Sequence, residues 1–204
     1  MSPRRLLNLL SAVPLAAALS ACVNLKPAVD PTRFYVLSVE PAKAPLAGSA
    51  TLSLPVFVSP IETPAYLDNP RLVLRRQSNE LEYLEFHQWA EPLRDGLTRC
   101  LREHLAAWLG ANRVPPLGRR QPAGDSLEVQ SSVSQFEAKP SGEVVLMVRW
   151  RIIRTKTGAV LCARQTEIVR RGGSVVIDPG SIAVALSDAV ASWSREVAEA
   201  MTKL

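Results

Sequence analysis

The chain has 204 residues, 47% of them hydrophobic, and 24 Lys and Arg against 19 Asp and Glu give a net charge of +5. That length supplies one domain with a sizeable core and is short for two. The basic excess is small, and its arginines are dispersed as Arg75-Arg76, Arg119-Arg120, Arg149, Arg151, Arg154 and Arg170-Arg171, without an aromatic-interleaved platform. The composition therefore argues against a nucleic-acid partner and for a solvated basic face open to anionic lipid headgroups.

Arg4 and Arg5 precede an apolar run, Leu6 to Leu19, which is broken by Asn8, Ser11 and Pro14 and ends in Leu19-Ser20-Ala21-Cys22. A basic start, a short apolar stretch and a small-residue cleavage site make a secretory signal. The run is too short and too interrupted to favour a retained membrane span. Its ending resembles the lipobox of bacterial lipoproteins. That resemblance implies a signal peptide over residues 1–21, cut before Cys22, whose thiol is diacylated and whose new amino terminus is usually acylated too. Cys22 is thus the expected lipid attachment residue, and two or three acyl chains anchor durably where one binds only marginally. Removing the signal leaves 22 basic against 19 acidic side chains, a charge of +3.

Residues 22–32, with Pro27 and Pro31, read as an acylated tether. About ten extended residues reach at most roughly 35 Å, so the body, residues 33–204, is expected close to its membrane. In an export compartment disulfides persist. Cys100 and Cys162 either pair or are small buried hydrophobes; nothing in the sequence brings their Cα atoms within bridging range, so two buried thiols are the expectation.

Phe34 to Val39 is rich in aromatic and β-branched residues and predicts a strand. Thr51 to Val58 predicts a second, with Pro55 marking an edge or bulge. Arg71 to Arg76 and Glu80 to Phe86 predict a hairpin around Gln77-Ser78-Asn79. From Glu91 the period becomes helical: Leu93, Leu97, Cys100, Leu101, Leu105, Trp108 and Leu109 form one stripe, bordered by His104 and closed by Gly110, with Pro92 in the first turn. Three long alternating runs follow. Ser126 to Glu137 carries Leu127, Val129 and Val133 on one parity. Glu143 to Arg154 carries Val144, Leu146, Val148, Trp150 and Ile152 on one face, with Arg149 and Arg151 on the other. Ala159 to Arg170 follows the turn Thr155 to Gly158. Short turns between such runs predict an antiparallel meander. Asp178-Pro179-Gly180-Ser181 opens a last helix with Ile182, Leu186, Ala189, Trp193, Val197 and Met201 in its stripe. The predicted fold is α/β: a mixed, largely antiparallel sheet with two main helices packed on it, in a single domain.

Catalytic and metal motifs are missing from the sequence. It has two histidines, no paired Cys or His spacing for zinc, no G-x-S-x-G, no Walker loop and no G-x-G-x-x-G. Gly172-Gly173 reads as a turn or bulge. His87, between a strand and a helix start, reads as structural rather than as a general base. Glu80, Glu82 and Glu85 read as the solvated face of a strand. The expectation is a protein that is not an enzyme and holds no cofactor and no metal.

Pro64 to Leu93 stands out, with Tyr66, Tyr83, Phe86 and Trp89 beside Asp68, Asn69 and Asn79. These aromatics fill the core under the hairpin, or some of them anchor a partner; Tyr66, Asp68 and Trp89 are the candidate partner contacts. The run Pro64-Ala65-Tyr66-Leu67-Asp68-Asn69-Pro70, an Arg-rich strand, Asn79-Glu80-Leu81 and then Glu85-Phe86-His87-Gln88-Trp89-Ala90-Glu91-Pro92-Leu93 resembles the ABC-type transport auxiliary lipoprotein family, the PqiC-like proteins. Phe34-Tyr35-Val36-Leu37 resembles that family's first strand. Asn69 and His87 stand where the family more often has arginine.

The resemblance implies an outer-membrane-anchored lipoprotein facing the periplasm, an auxiliary component of an intermembrane lipid transport system. Its partners would be the membrane, through acylated Cys22, a mammalian-cell-entry (MCE) type periplasmic protein and the associated permease. Val23 after the cysteine, rather than Asp, fits outer-membrane sorting. Self-association into a homo-oligomer is left open. The alternative is a cell-wall-associated lipoprotein that binds or regulates peptidoglycan machinery.

Overall fold

The computed structural model describes residues 29–39, 44–49, 52–115, 124–171 and 178–204. The signal, Cys22, Arg119-Arg120 and Gly172-Gly173 lie outside them. Met1–Pro31 and Thr32–Leu204 are separate units, and the elements below belong to the second. They are strands β1 (Arg33–Tyr35), β2 (Val56–Val58), β3 (Arg71–Gln77) and β4 (Glu80–Trp89), helix α1 (Leu93–Leu109), strands β5 (Leu127–Ala138), β6 (Glu143–Arg154) and β7 (Ala159–Arg171), and helix α2 (Pro179–Met201). A 3-10 turn covers Ala65–Asp68.

The strands form one mixed sheet in the order β1-β4-β3-β5-β6-β7, with β2 also laid on β5. The long pairings, β3 with β4 and β5-β6-β7, are antiparallel. The parallel ones are short: three residues each for β1 on β4 and β2 on β5, and Leu74 opposite Ala138 for β3 on β5. This is the expected α/β domain with its C-terminal meander.

Both early strands are shorter than their sequences predict. β1 ends after Tyr35, whose carbonyl accepts from the Ala90 N–H at 2.8 Å. Two residues on, the Leu37 carbonyl is taken by side chains, Arg99 Nη2 at 2.9 Å and Cys100 Sγ at 3.5 Å, so the segment has no need of a ladder partner. β2 begins only after Pro55, which has no N–H to give a ladder but accepts from Leu127 N at 2.9 Å.

In β5, Leu127, Val129 and Val133 are buried as expected. A register shift between Val133 and Gln135 is a bulge, and it reverses the parity so that Phe136 and Ala138 also reach the core. β6 buries Val144, Leu146, Val148, Trp150 and Ile152 and exposes Arg149 and Arg151.

Helix α1 buries Leu93, Leu97, Cys100, Leu101, Leu105 and Leu109, with Trp108 half-buried. Pro92 stands one residue earlier than predicted, at the cap, where its carbonyl accepts from Asp95 N and Gly96 N. Gly110 ends the helix at φ 103, a conformation glycine adopts without steric cost. Asp178 caps α2, its carboxylate accepting from Ser181 N at 2.8 Å, and Pro179 follows at the position where its missing N–H costs nothing. The helix buries its whole expected stripe. It packs along β6 and β7 and against α1. Among the described residues no helix covers the other face of the meander. No helix among the described residues is long and apolar enough to cross a membrane.

Cys100 is fully buried and Cys162 only partly so, and both are free thiols. The second buried thiol is thus corrected: Cys162 sits on the exposed edge strand β7, opposite Ile152.

Candidate functional site

The Pro64 to Leu93 stretch folds into two joints. At the first, Pro64 leads into the 3-10 turn, its carbonyl accepting from Leu67 N at 2.9 Å, and Leu67 is buried. This carries Tyr66 over the end of β5, where its hydroxyl donates to Glu137 Oε2 at 2.6 Å and sits 3.3 Å from the Ser134 carbonyl. The Tyr83 hydroxyl donates to the Tyr66 carbonyl at 3.1 Å. Glu137 is 1% exposed, and Arg75 from β3 closes an ion pair on its other oxygen. Burial, then the bond to Glu137, pushes the Tyr66 hydroxyl well above its ordinary pKa and keeps it a donor. Asp68 is exposed at the end of the turn, and Asn69 Oδ1 accepts from Arg71 N at 3.0 Å, an Asx turn leading into β3.

The second joint is Trp89 to Leu93. Trp89 is 7% exposed, its ring centroid 6.1 Å from that of Phe136. Its N–H donates to the Pro70 carbonyl at 2.7 Å. Glu91 accepts from Arg99 Nη2 at 2.6 Å, and the same Arg99 nitrogen holds the Leu37 carbonyl. The Trp-Ala-Glu-Pro-Leu run therefore ties β1, β4 and α1 together. Trp89 serves the core, Ala90 the β1 ladder, Glu91 the arginine and Pro92 the cap.

The structure brings Tyr66 and Asp68 together at one turn and buries Trp89 away from solvent. Glu137, Arg75 and Arg99 hold these joints without being singled out by the sequence. The signal for Glu137 was an acid between Phe136 and Ala138.

Three further titratable groups, His87, Glu82 and Cys100, are committed to structure. His87 Nδ1 and the Tyr35 hydroxyl share a hydrogen bond of 2.8 Å. Glu82 pairs with Arg76 at the surface. Burial pushes the Cys100 thiol up to about 11, which leaves it protonated and a poor nucleophile. Among the described residues no three His, Cys, Asp or Glu stand close enough to hold a metal.

His104 is 1% exposed, stacked on Trp108 at 5.2 Å, and neither ring nitrogen has a hydrogen-bond partner among the described residues. Burial pushes its pKa down from 6.5 to about 4. A base with a depressed folded pKa binds its proton more readily when unfolded. Its share of stability is therefore full above about 6.5 and is lost as pH falls towards about 4. The loss is on the order of 3 kcal/mol at full protonation. Chemical denaturation at pH 7 and pH 4.5 should show a smaller acid loss in His104→Phe than in the wild type; equal losses would mean His104 titrates normally.

The fold and these joints define a mixed α/β domain with its helices on one sheet face and its most distinctive motif spent on architecture. The chain belongs to the ABC-type transport auxiliary lipoprotein component family, whose model matches residues 35–198. Two solved structures share the fold. One is a Xanthomonas campestris protein assigned to the DUF330 family, 19% identical, with TM-score 0.69 over 82% of this chain and 93% of that one. The other, described only as an uncharacterized protein, is 19% identical with TM-score 0.67 over 82% of this chain and 97% of that one. At such identity they show the fold alone. No curated protein matches the chain.

Proposed function

We propose that the chain is cut before Cys22, acylated there and held at the periplasmic face of the outer membrane. In this reading it is a non-enzymatic auxiliary component of an MCE/ABC-type intermembrane lipid transport system. Membership of the transport auxiliary lipoprotein family over residues 35–198 carries the proposal, and the lipobox-like Leu19 to Cys22 run with Val23 supports the address. The commitment of Tyr66, Glu91, His87 and Cys100 to structural bonds supports docking over catalysis. Partner contact falls to the exposed turn with Asp68 at its end and Tyr66 half-buried in it, while Trp89 acts through folding.

The test is retention of an MCE-type protein from the same organism on the tagged, full-length lipoprotein in mild detergent. Retention is expected, and its failure would remove the partner assignment. Cys22→Ala should leave the domain folded and move it from the outer-membrane fraction to the soluble periplasm. Continued sedimentation with the outer membrane would show a different anchor.

A further inference from the structure

The face of the meander that the helices leave open carries a groove of about 640 Å³. Strand register builds its floor. Glu62 bridges to Ser132, Ser132 pairs with Arg149, and Arg149 with Gln165. In the neighbouring row Gln130 pairs with Arg151, and Arg151 with Ala163. Directly paired residues project to the same face, so the small Ser132 and Ala163 leave a depression walled by the long side chains around them.

Two cations stand on alternate positions of one strand in this depression. Arg151 Nε donates to Gln130 Oε1 at 2.9 Å and Arg149 Nε to Gln165 Oε1 at 3.3 Å. Neutral acceptors orient both guanidinium groups without neutralising them, leaving the outer donors of each fork for a ligand. Among the described residues neither has a carboxylate in ion-pair range, whereas Arg75, Arg99, Arg154 and Arg164 each have one. Of the nearby acids, Glu128 accepts on Oε1 from Ser59 Oγ at 2.5 Å and from Gln130 Nε2 at 3.0 Å. Glu62 lines the groove, exposed and outside ion-pair range of either arginine.

We propose that this groove binds a phosphodiester. Two guanidinium groups stand against the carboxylates of Glu62 and Glu128, so the groove has no surplus charge to match a doubly charged monoester, and the single negative charge of a diester suits it better. Arg149 and Arg151 take the non-bridging oxygens, and Ser132, opposite Arg149 in the ladder, offers a further hydroxyl. The site stands independently of the transport reading, since it rests on register and charge alone.

The diester can come from a phospholipid headgroup or from a small soluble ester, and one calorimetric experiment separates them. Full-length protein in a non-ionic detergent is titrated with glycerophosphoglycerol and with dioctanoyl phosphatidylglycerol. Equal affinity for the two assigns a soluble ester, and binding of the lipid alone assigns a headgroup. In either case the Arg149→Gln/Arg151→Gln variant should lose affinity by about tenfold or more per arginine at an unchanged melting temperature. Arg195→Gln, which removes an exposed cation paired with Glu199 elsewhere, should bind as the wild type does. Binding that survives the double substitution, loss in the Arg195→Gln control, or no binding of either probe at millimolar concentration overturns the proposal.

Discussion

Replacing Trp89 with alanine should cost the domain about 3–5 kcal/mol, the range for truncating a buried aromatic in a core that relaxes only partly. The indole lies against Phe136, and its backbone sits where β4 meets β1, with Tyr35 opposite it in the ladder and Pro70 accepting its N–H. Leu93, four residues on, is the first buried residue of α1, so the void opens at the joint of three elements. For a domain of this size such a loss lowers the melting temperature by roughly 10 °C or more. Thermal denaturation followed by circular dichroism measures it. An unchanged melting temperature together with lost retention of the proposed MCE-type partner would mean that Trp89 is a contact residue after all, and the assignment of the Trp-Ala-Glu-Pro-Leu run to architecture would fall with it.

Periodicity made the apolar side of this fold legible. The stripes of α1 and α2 and the alternating face of β6 are buried, Trp108 of α1 by half, because one face of each element must leave water and the spacing records which. What periodicity does not carry is a change of phase. The bulge after Val133 flips the end of β5 and takes Glu137 off the face of Leu127, Val129 and Val133, so that Arg75 and Tyr66 cover it instead. The lengths of β1 and β2 were also hidden, since the Leu37 carbonyl is satisfied by Arg99 and Cys100 from a helix more than sixty residues away in sequence. The same limit applies to the open groove. Arg149 and Arg151 were readable as outward-facing, but that they face glutamines rather than acids depends on the β5-β6-β7 register. The motif that marks the family was readable as a pattern. Its meaning as two joints, one through Glu137 and one through Arg99, depended on partners outside the motif.

Arg75→Met should destabilise the domain by about 3 kcal/mol, and Arg75→Met/Glu137→Met should be more stable than that single variant. Removing one member of a buried ion pair leaves the other charge desolvated and uncompensated, whereas replacing both with apolar groups of similar size removes the penalty along with the attraction. The Glu137 side chain is 2% exposed and that of Arg75 23% exposed, so water reaches one side of the pair and places the single-variant loss at the lower end of the range for broken buried pairs. The Tyr66 hydroxyl would still donate to Glu137 in Arg75→Met, but a neutral donor stabilises a carboxylate less than a guanidinium does. In Glu137→Met the burden reverses: Arg75 can turn towards water and keep its bond to the Ser78 carbonyl, and Tyr66 keeps the Ser134 carbonyl, so that variant should lose less than Arg75→Met. Urea denaturation of the four proteins gives the cycle. If the losses in the two single variants simply add in the double, Arg75 and Glu137 do not act as a pair. The Tyr66 turn would then be held by its apolar contacts through Leu67, not by the buried carboxylate beneath it.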